Sequence, residues 1–181
     1  MERYEDFAWV TARALEQALA EAGRELGESA RAALLAQYGD LGTFPDARPG
    51  LERLKAAGHT MVVFSNGSPA MLDAVLHSSG LGGYFGAVVS VDEVEAYKPS
   101  PRTYRHVAER LTRPIEEIRL VSSNPFDVIG AEAAGMQAAW IDRSGGVFDA
   151  LGPRPEMVVG DLVELADVLP GGVGRTTPLV T

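Results

Sequence analysis

Ile118-Arg119-Leu120-Val121-Ser122-Ser123-Asn124-Pro125-Phe126-Asp127 sets an apolar run against a turn of small hydroxyl and amide residues, with a proline where a helix would open. In an open parallel α/β sheet, the groups at the carboxyl ends of the strands line the ligand crevice, so this turn is where chemistry is expected. A second stretch repeats the grammar. Val62-Val63-Phe64 runs into Ser65-Asn66-Gly67-Ser68-Pro69, again a short apolar run followed by small polar residues and a helix start. Between them, Tyr97-Lys98-Pro99-Ser100-Pro101 places a lysine just before another proline-marked helix opening. Loops carrying Ser65 and Asn66, then Lys98, then Asn124 and Asp127 would converge on one crevice.

The rest of the chain alternates in the same way. Helix 50–57 closes at Gly58 and leads to strand 60–64. Helix 69–79, with Ser68 as N-cap and Gly80 beyond its end, leads to strand 87–91. Helix 101–111, strand 118–121, helix 125–134 and strand 138–141 follow. Met157 to Val159 add a last strand, and Asp161 caps a helix reaching Val168. Such alternation implies parallel strands joined by right-handed crossovers.

Ahead of this lies a helical pattern. Phe7, Val10, Ala14, Leu15, Ala18, Leu19 and Ala22 recur at three- and four-residue steps, and a second helix carries Leu34, Leu35 and Tyr38 on one side. Read plainly, this is a helical hairpin whose apolar face is core. The loop from Gly39 to Pro49 gathers glycines and prolines and forms the best boundary. The expected organisation is a helical segment over 1–42, an α/β core over 43–169 and a disordered tail over 170–181, where glycines and threonines show no period.

Composition narrows the function. The 181 residues are 46% hydrophobic and 23% charged, ordinary for a soluble globular protein, and the net charge of −9 argues against nucleic acid or an anionic membrane as partner. With no cysteine, thiolate chemistry and disulfides are excluded. No apolar run approaches a membrane span, and the acidic start is unlike a secretory signal, so the cytoplasm is the default compartment. His59, His77 and His106 lack metal-ligand spacing and read as ordinary surface or core residues.

Each candidate residue has a plain reading beside a chemical one. Lys98 is either a solvated surface lysine or a compact cation that pairs with a carboxylate and holds it ionised. Asp127 is either a first-turn helix carboxylate or, with Asn124 and Ser122, part of a constellation that positions and polarises a water. Ser65 and Asn66 are either a turn with its cap or an anion site beside a helix amino terminus, suited to a carboxylate.

The order SNGSP, YKPSPRTY and VSSNPFD resembles the haloacid dehalogenase superfamily and, within it, the (S)-2-haloacid dehalogenases of type II, from Arg3 to about Asp167. That resemblance implies a Rossmann-like α/β parallel-sheet hydrolase core with a partial helical cap. It also implies hydrolysis of short (S)-2-haloalkanoic acids to (R)-2-hydroxy acids through an aspartyl ester, without cofactor or metal. It assigns Lys98 to contact the nucleophile, Asn124 and Asp127 to serve the hydrolytic water, and Ser122 to support the network. Tyr104 matches a functional tyrosine of the family, Ser65 and Asn66 would receive the substrate carboxylate, and Phe7 and Phe126 would line its apolar pocket. A small 2-haloacid is the implied partner, with a homodimer left open.

Against the family pattern, the sequence contains no DxYGT-like segment, which in the family ends the first β-strand and supplies the nucleophilic aspartate. The expectation is an amino-terminally truncated chain lacking its first, central strand, with two unpaired strand edges inside the sheet. Phosphatases of the superfamily read GDSxxD where this chain has Ser123 four residues before Asp127; losing that carboxylate makes a Mg²⁺ site poor. A Mg²⁺-dependent phosphatase and a noncatalytic remnant or interaction module are the alternatives.

Overall fold

The computed structural model describes residues 4–152, 155–171 and 177–181. Two helices come first, α1 (Phe7–Glu21) and α2 (Glu28–Ala36). Asp6 caps α1 by accepting the Trp9 backbone N–H at 2.8 Å. Within α1 only Thr11 is buried, and within α2 no residue is. Their apolar side chains are therefore only partly used as core, and Trp9, Leu34 and Tyr38 stay exposed.

The α/β portion begins with α3 (Ala47–Ala56), three residues earlier than the breaker pattern predicts. Pro49 falls in the first turn of that helix, where a missing N–H costs nothing. There follow β1 (Met61–Ser65), α4 (Pro69–Ser79), β2 (Ala87–Ser90), α5 (Pro101–Leu111), β3 (Arg119–Ser122) and α6 (Pro125–Ala133). The series closes with β4 (Gln137–Ile141), β5 (Met157–Val159), α7 (Leu162–Val168) and β6 (Leu179–Val180). Pro69, Pro101 and Pro125 each open a helix, with their fixed φ preorganised for the first turn. Ser68 and Ser100 stand at N-cap positions but make no side-chain cap bond, whereas Asp161 accepts the Glu164 N–H at 2.8 Å.

All strand pairs are parallel, in the order β2-β1-β6-β3-β4-β5. Parallel strands buried on both faces require helices on both sides, and two core layers result. One gathers Val62, Phe64, Val89, Tyr104, Val107 and Leu120; the other gathers Leu51, Leu54, Met61, Val121, Ala139 and Leu165.

The centre of the sheet departs from the sequence reading. Rather than two open edges, β6 lies between β1 and β3, with Val180 in register with both Val62 and Leu120. The Leu179 N–H donates to Thr60 O at 2.9 Å, the Thr181 N–H to Val62 O at 3.0 Å, and the Arg119 N–H to Pro178 O at 3.0 Å. Leu179 and Val180 point to opposite faces, so each joins a different core layer, at 3% and 0% exposure. The tail expected to be disordered thus ends in a strand, because an unfilled slot would strand backbone donors and acceptors away from water. The part of that expectation covering residues 172–176 lies outside the described residues.

Candidate active site

The carboxyl ends of β1, β3 and β4 and the loop after β2 share one rim, and Lys98, Asp127 and Tyr104 meet there. The Lys98 Nζ donates to Asp127 Oδ2 at 2.8 Å and to Phe64 O at 3.0 Å, and it lies 4.7 Å from the Phe64 ring centroid. The Tyr104 hydroxyl donates to Asp127 Oδ1 at 2.7 Å. Both carboxylate oxygens therefore have a donor, as a carboxylate at 2% exposure requires. Burial, and then the Asp127 charge, push the Tyr104 phenol far above its ordinary value, so it stays a donor at any workable pH.

Backbone punctuation sets this geometry. Asp127 sits in the first turn of α6, immediately after β3, and Tyr104 lies in the first turn of α5. The two helices approach closely because residue 130 is glycine: a Cβ there would stand 2.6 Å from Pro99 Cβ and 2.7 Å from the Tyr104 hydroxyl. Lys98 is anchored through its backbone too, donating its N–H to Asn66 Oδ1 at 2.9 Å. The Ser65–Gly67 turn is closed by the Gly67 N–H on Ser65 Oγ at 3.1 Å and tied to β2 by the Ser90 hydroxyl on Gly67 O at 2.7 Å.

In the β3 turn, the Asn124 N–H donates to Ser122 Oγ at 3.1 Å, and Asn124 O accepts from the N–H groups of Asp127 and Val128. Asn124 occupies the N-cap position of α6 without using its side chain as a cap. Next to it, Ser123 O accepts the Trp140 indole N–H at 3.2 Å, and Ser123 Oγ accepts from Arg143 Nη1 at 3.0 Å.

A crevice of about 540 Å³ opens over these groups. Ser65, Lys98, Ser122, Asn124 and Asp127 line it together with an apolar wall that includes Leu54, Met61, Leu72 and Ile141. Asn66 and Tyr104 stand behind Lys98 and Asp127 rather than on its surface. Phe7 is not brought to the crevice; its ring lies 6.0 Å from that of Tyr97. Phe126 is not brought there either and is 45% exposed. Arg143, which sequence reasoning passed over, also lines the crevice, with the Asp46 carboxylate paired to it. The available signal was Arg143's position directly beyond β4, on the same rim as the other strand-end groups. Among the described residues, no group of three or more His, Asp or Glu side chains converges as a metal site would need.

The haloacid dehalogenase-like hydrolase family matches residues 1–135. The haloacetate dehalogenase H-2 of Moraxella sp. (strain B) is 38% identical over 159 residues, which span 88% of this chain and 71% of that enzyme. The (S)-2-haloacid dehalogenase H-109 of Pseudomonas putida is 36% identical over 169 residues, 93% of this chain and 75% of that one. Among solved structures, the L-2-haloacid dehalogenase from Xanthobacter autotrophicus with chloropropionic acid covalently bound superposes with a TM-score of 0.83. Its identity is 34%, and the match covers 92% of this chain and 76% of that chain. This chain belongs to the haloacid dehalogenase-like hydrolases. Its parallel α/β sheet is the architecture of the L-2-haloacid dehalogenase structures.

Proposed function

We propose that this chain carries the greater part of a site for hydrolytic dehalogenation of short (S)-2-haloalkanoic acids to (R)-2-hydroxy acids. The observation that carries the reading is the buried Lys98–Asp127–Tyr104 cluster beside Ser122 and Asn124, in a crevice of mixed polar and apolar wall. Similarity to enzymes named for haloacetate and (S)-2-haloacids, one of them solved with chloropropionic acid covalently attached, supports the substrate class.

The chemistry runs in two steps. A carboxylate oxygen attacks C2 from the face opposite the halogen, the carbon–halogen bond breaks, and halide leaves with inversion. Water then adds to the ester carbonyl, the acyl–oxygen bond breaks, and the carboxylate and the (R)-2-hydroxy acid are released, with one proton passing to solvent. The attacking carboxylate is not Asp127, whose oxygens are both held by buried donors. By family resemblance it is an aspartate of a DxYGT-like segment, which this sequence does not contain. Lys98, which uses two of its three N–H donors on Asp127 and Phe64 O, keeps one for that nucleophile. Asn124 and Asp127 serve the water, Ser122 fixes Asn124, and Ser65 receives the substrate carboxylate, with Asn66 holding the Lys98 backbone behind it. Helices α1 and α2 form part of a cap, with Phe7 in its apolar surface.

The deciding measurement is chloride release from (S)-2-chloropropionate with chiral analysis of the lactate, for the 181-residue chain alone and for the chain joined to a DxYGT-bearing segment. The chain alone is expected to release none. The joined protein is expected to turn over, to yield (R)-lactate, and to be indifferent to Mg²⁺ and EDTA. Turnover by the chain alone, or Mg²⁺-dependent release of phosphate from an aryl phosphate in place of dehalogenation, overturns the proposal.

A further inference from the structure

Arg143 lines the crevice, and the chemistry above leaves it without a task. Its Nε donates to Asp46 Oδ1 at 3.1 Å and its Nη2 to Asp46 Oδ2 at 2.7 Å, the two-pronged geometry of guanidinium on carboxylate. The remaining branch, Nη1, donates to Ser123 Oγ at 3.0 Å. The guanidinium carbon lies 4.3 Å from the centroid of the Phe44 ring, within cation–π range. Asp46 Oδ2 also accepts the Leu162 N–H at 3.0 Å. The Arg143–Asp46 pair therefore joins the loop before α3, the turn after β3 and, through Asp46, the start of α7. The Arg143 hydrogen bond holds the Asp46 carboxyl below its ordinary value, so the pair stays ionised at neutral pH.

This fastening has a direction. Ser122, Ser123 and Asn124 of the β3 turn all line the crevice, and the middle one is gripped at both of its oxygens: the Ser123 carbonyl by Trp140 and the Ser123 hydroxyl by Arg143. Trp140 is on β4 and Arg143 is just beyond it, so the sheet's own strand sets where Ser122 Oγ and the Asn124 amide stand. We infer that Arg143, held by Asp46, is the positioning residue of the Ser122–Asn124 turn. Lysine cannot take its place, because an ammonium lacks the planar fork that reaches Asp46 and Ser123 together.

The inference rests on the crevice being the reacting site, and its test separates the two. In the full chain with Trp9 replaced by Phe, Trp140 is the remaining tryptophan and reports on Ser123. Arg143→Met and Arg143→Lys are expected to shift the Trp140 indole N–H and the Ser123 and Asn124 amide resonances, while those of β1 and β2 stay in place. Solvent exchange of the indole proton should rise about fivefold, as loss of one supporting hydrogen bond predicts. Asp46→Asn, which leaves Arg143 but loosens its seat, should move the same resonances in the same direction and less far; it carries the test if the Arg143 variants do not fold. Titration with (S)-2-chloropropionate, read on Trp140 emission, should show about tenfold weaker binding for Arg143→Met and no rescue by Arg143→Lys. Resonances that stay as in the parent, shifts spread evenly over the sheet, or full rescue by lysine would overturn the inference. If no form binds the haloacid but the turn resonances still move as described, the positioning role stands and the haloacid reading falls.

Discussion

Lys98 Nζ and Asp127 Oδ2 stand 2.8 Å apart across the floor of the crevice, with side chains only 10% and 3% exposed. Residues 29 positions apart in sequence thus form an ion pair in a poorly hydrated place. Such a pair is expensive to break on one side only. Lys98→Met or Asp127→Leu is expected to destabilise the chain by about 3–5 kcal/mol, and the double variant by clearly less than the sum of the singles. Urea unfolding of the three variants and the parent measures it; additive losses would show that the two groups are not coupled.

Gly130 controls how closely Tyr104 approaches Asp127. Gly130→Ala would drive a methyl into Pro99 and the Tyr104 hydroxyl, neither of which can swing aside as a flexible chain end would. The expected cost is about 1–3 kcal/mol, with the hydroxyl pushed off Asp127. Tyr104→Phe, which removes only the donor, should cost about 1–3 kcal/mol by leaving Asp127 Oδ1 undersatisfied. Thermal unfolding of both variants checks this, and a neutral Gly130→Ala would mean that α5 and α6 pack less tightly than described.

Leu179 offers the plainest test of the central strand. Leu179→Ala is expected to cost about 2–4 kcal/mol because its side chain is enclosed in the core. Val147→Ser, at a position 96% exposed, should change stability by less than about 0.5 kcal/mol. Urea denaturation of the pair discriminates directly. Equal, negligible effects would return the last residues to the disordered tail that composition suggests.

His59 makes stability depend on pH. Both ring nitrogens are buried without a hydrogen-bond partner in the structure, and burial, then the nearby Arg119 charge, lower its pKa. The unfolded chain therefore takes up a proton at about pH 6.5, before the native one does. Stability is expected to be full above that pH and to fall as pH drops from there toward the native pKa. His59→Leu should flatten this decline; an unchanged stability profile between pH 8 and pH 5 would assign it to other groups.

The β–turn–α grammar was legible in the sequence because it is local. Each strand-end turn pairs an apolar run with small polar residues and a proline within about ten positions, as at Val62–Pro69 and Leu120–Pro125, and propensity, φ restriction and capping act over that range. Lys98, Asp127 and Tyr104 were legible as candidates for the same reason, since their positions relative to those turns put them on one rim. Their mutual saturation was not, because it depends on how closely α5 packs against α6. Leu179 and Val180 form too short an apolar pair to show a period; only the vacant place between β1 and β3, with backbone groups to satisfy and two core layers to complete, made them a strand. Arg143 and Asp46 are 97 positions apart, and nothing local marks either for the other. Apart from β6, the sequence by itself determined which segments would be strands and helices and which end of the sheet would carry the polar side chains. The tertiary structure alone decided which of those side chains hold one another, because hydrogen bonds and ion pairs require atoms within about 3 Å, and chain order does not encode that separation.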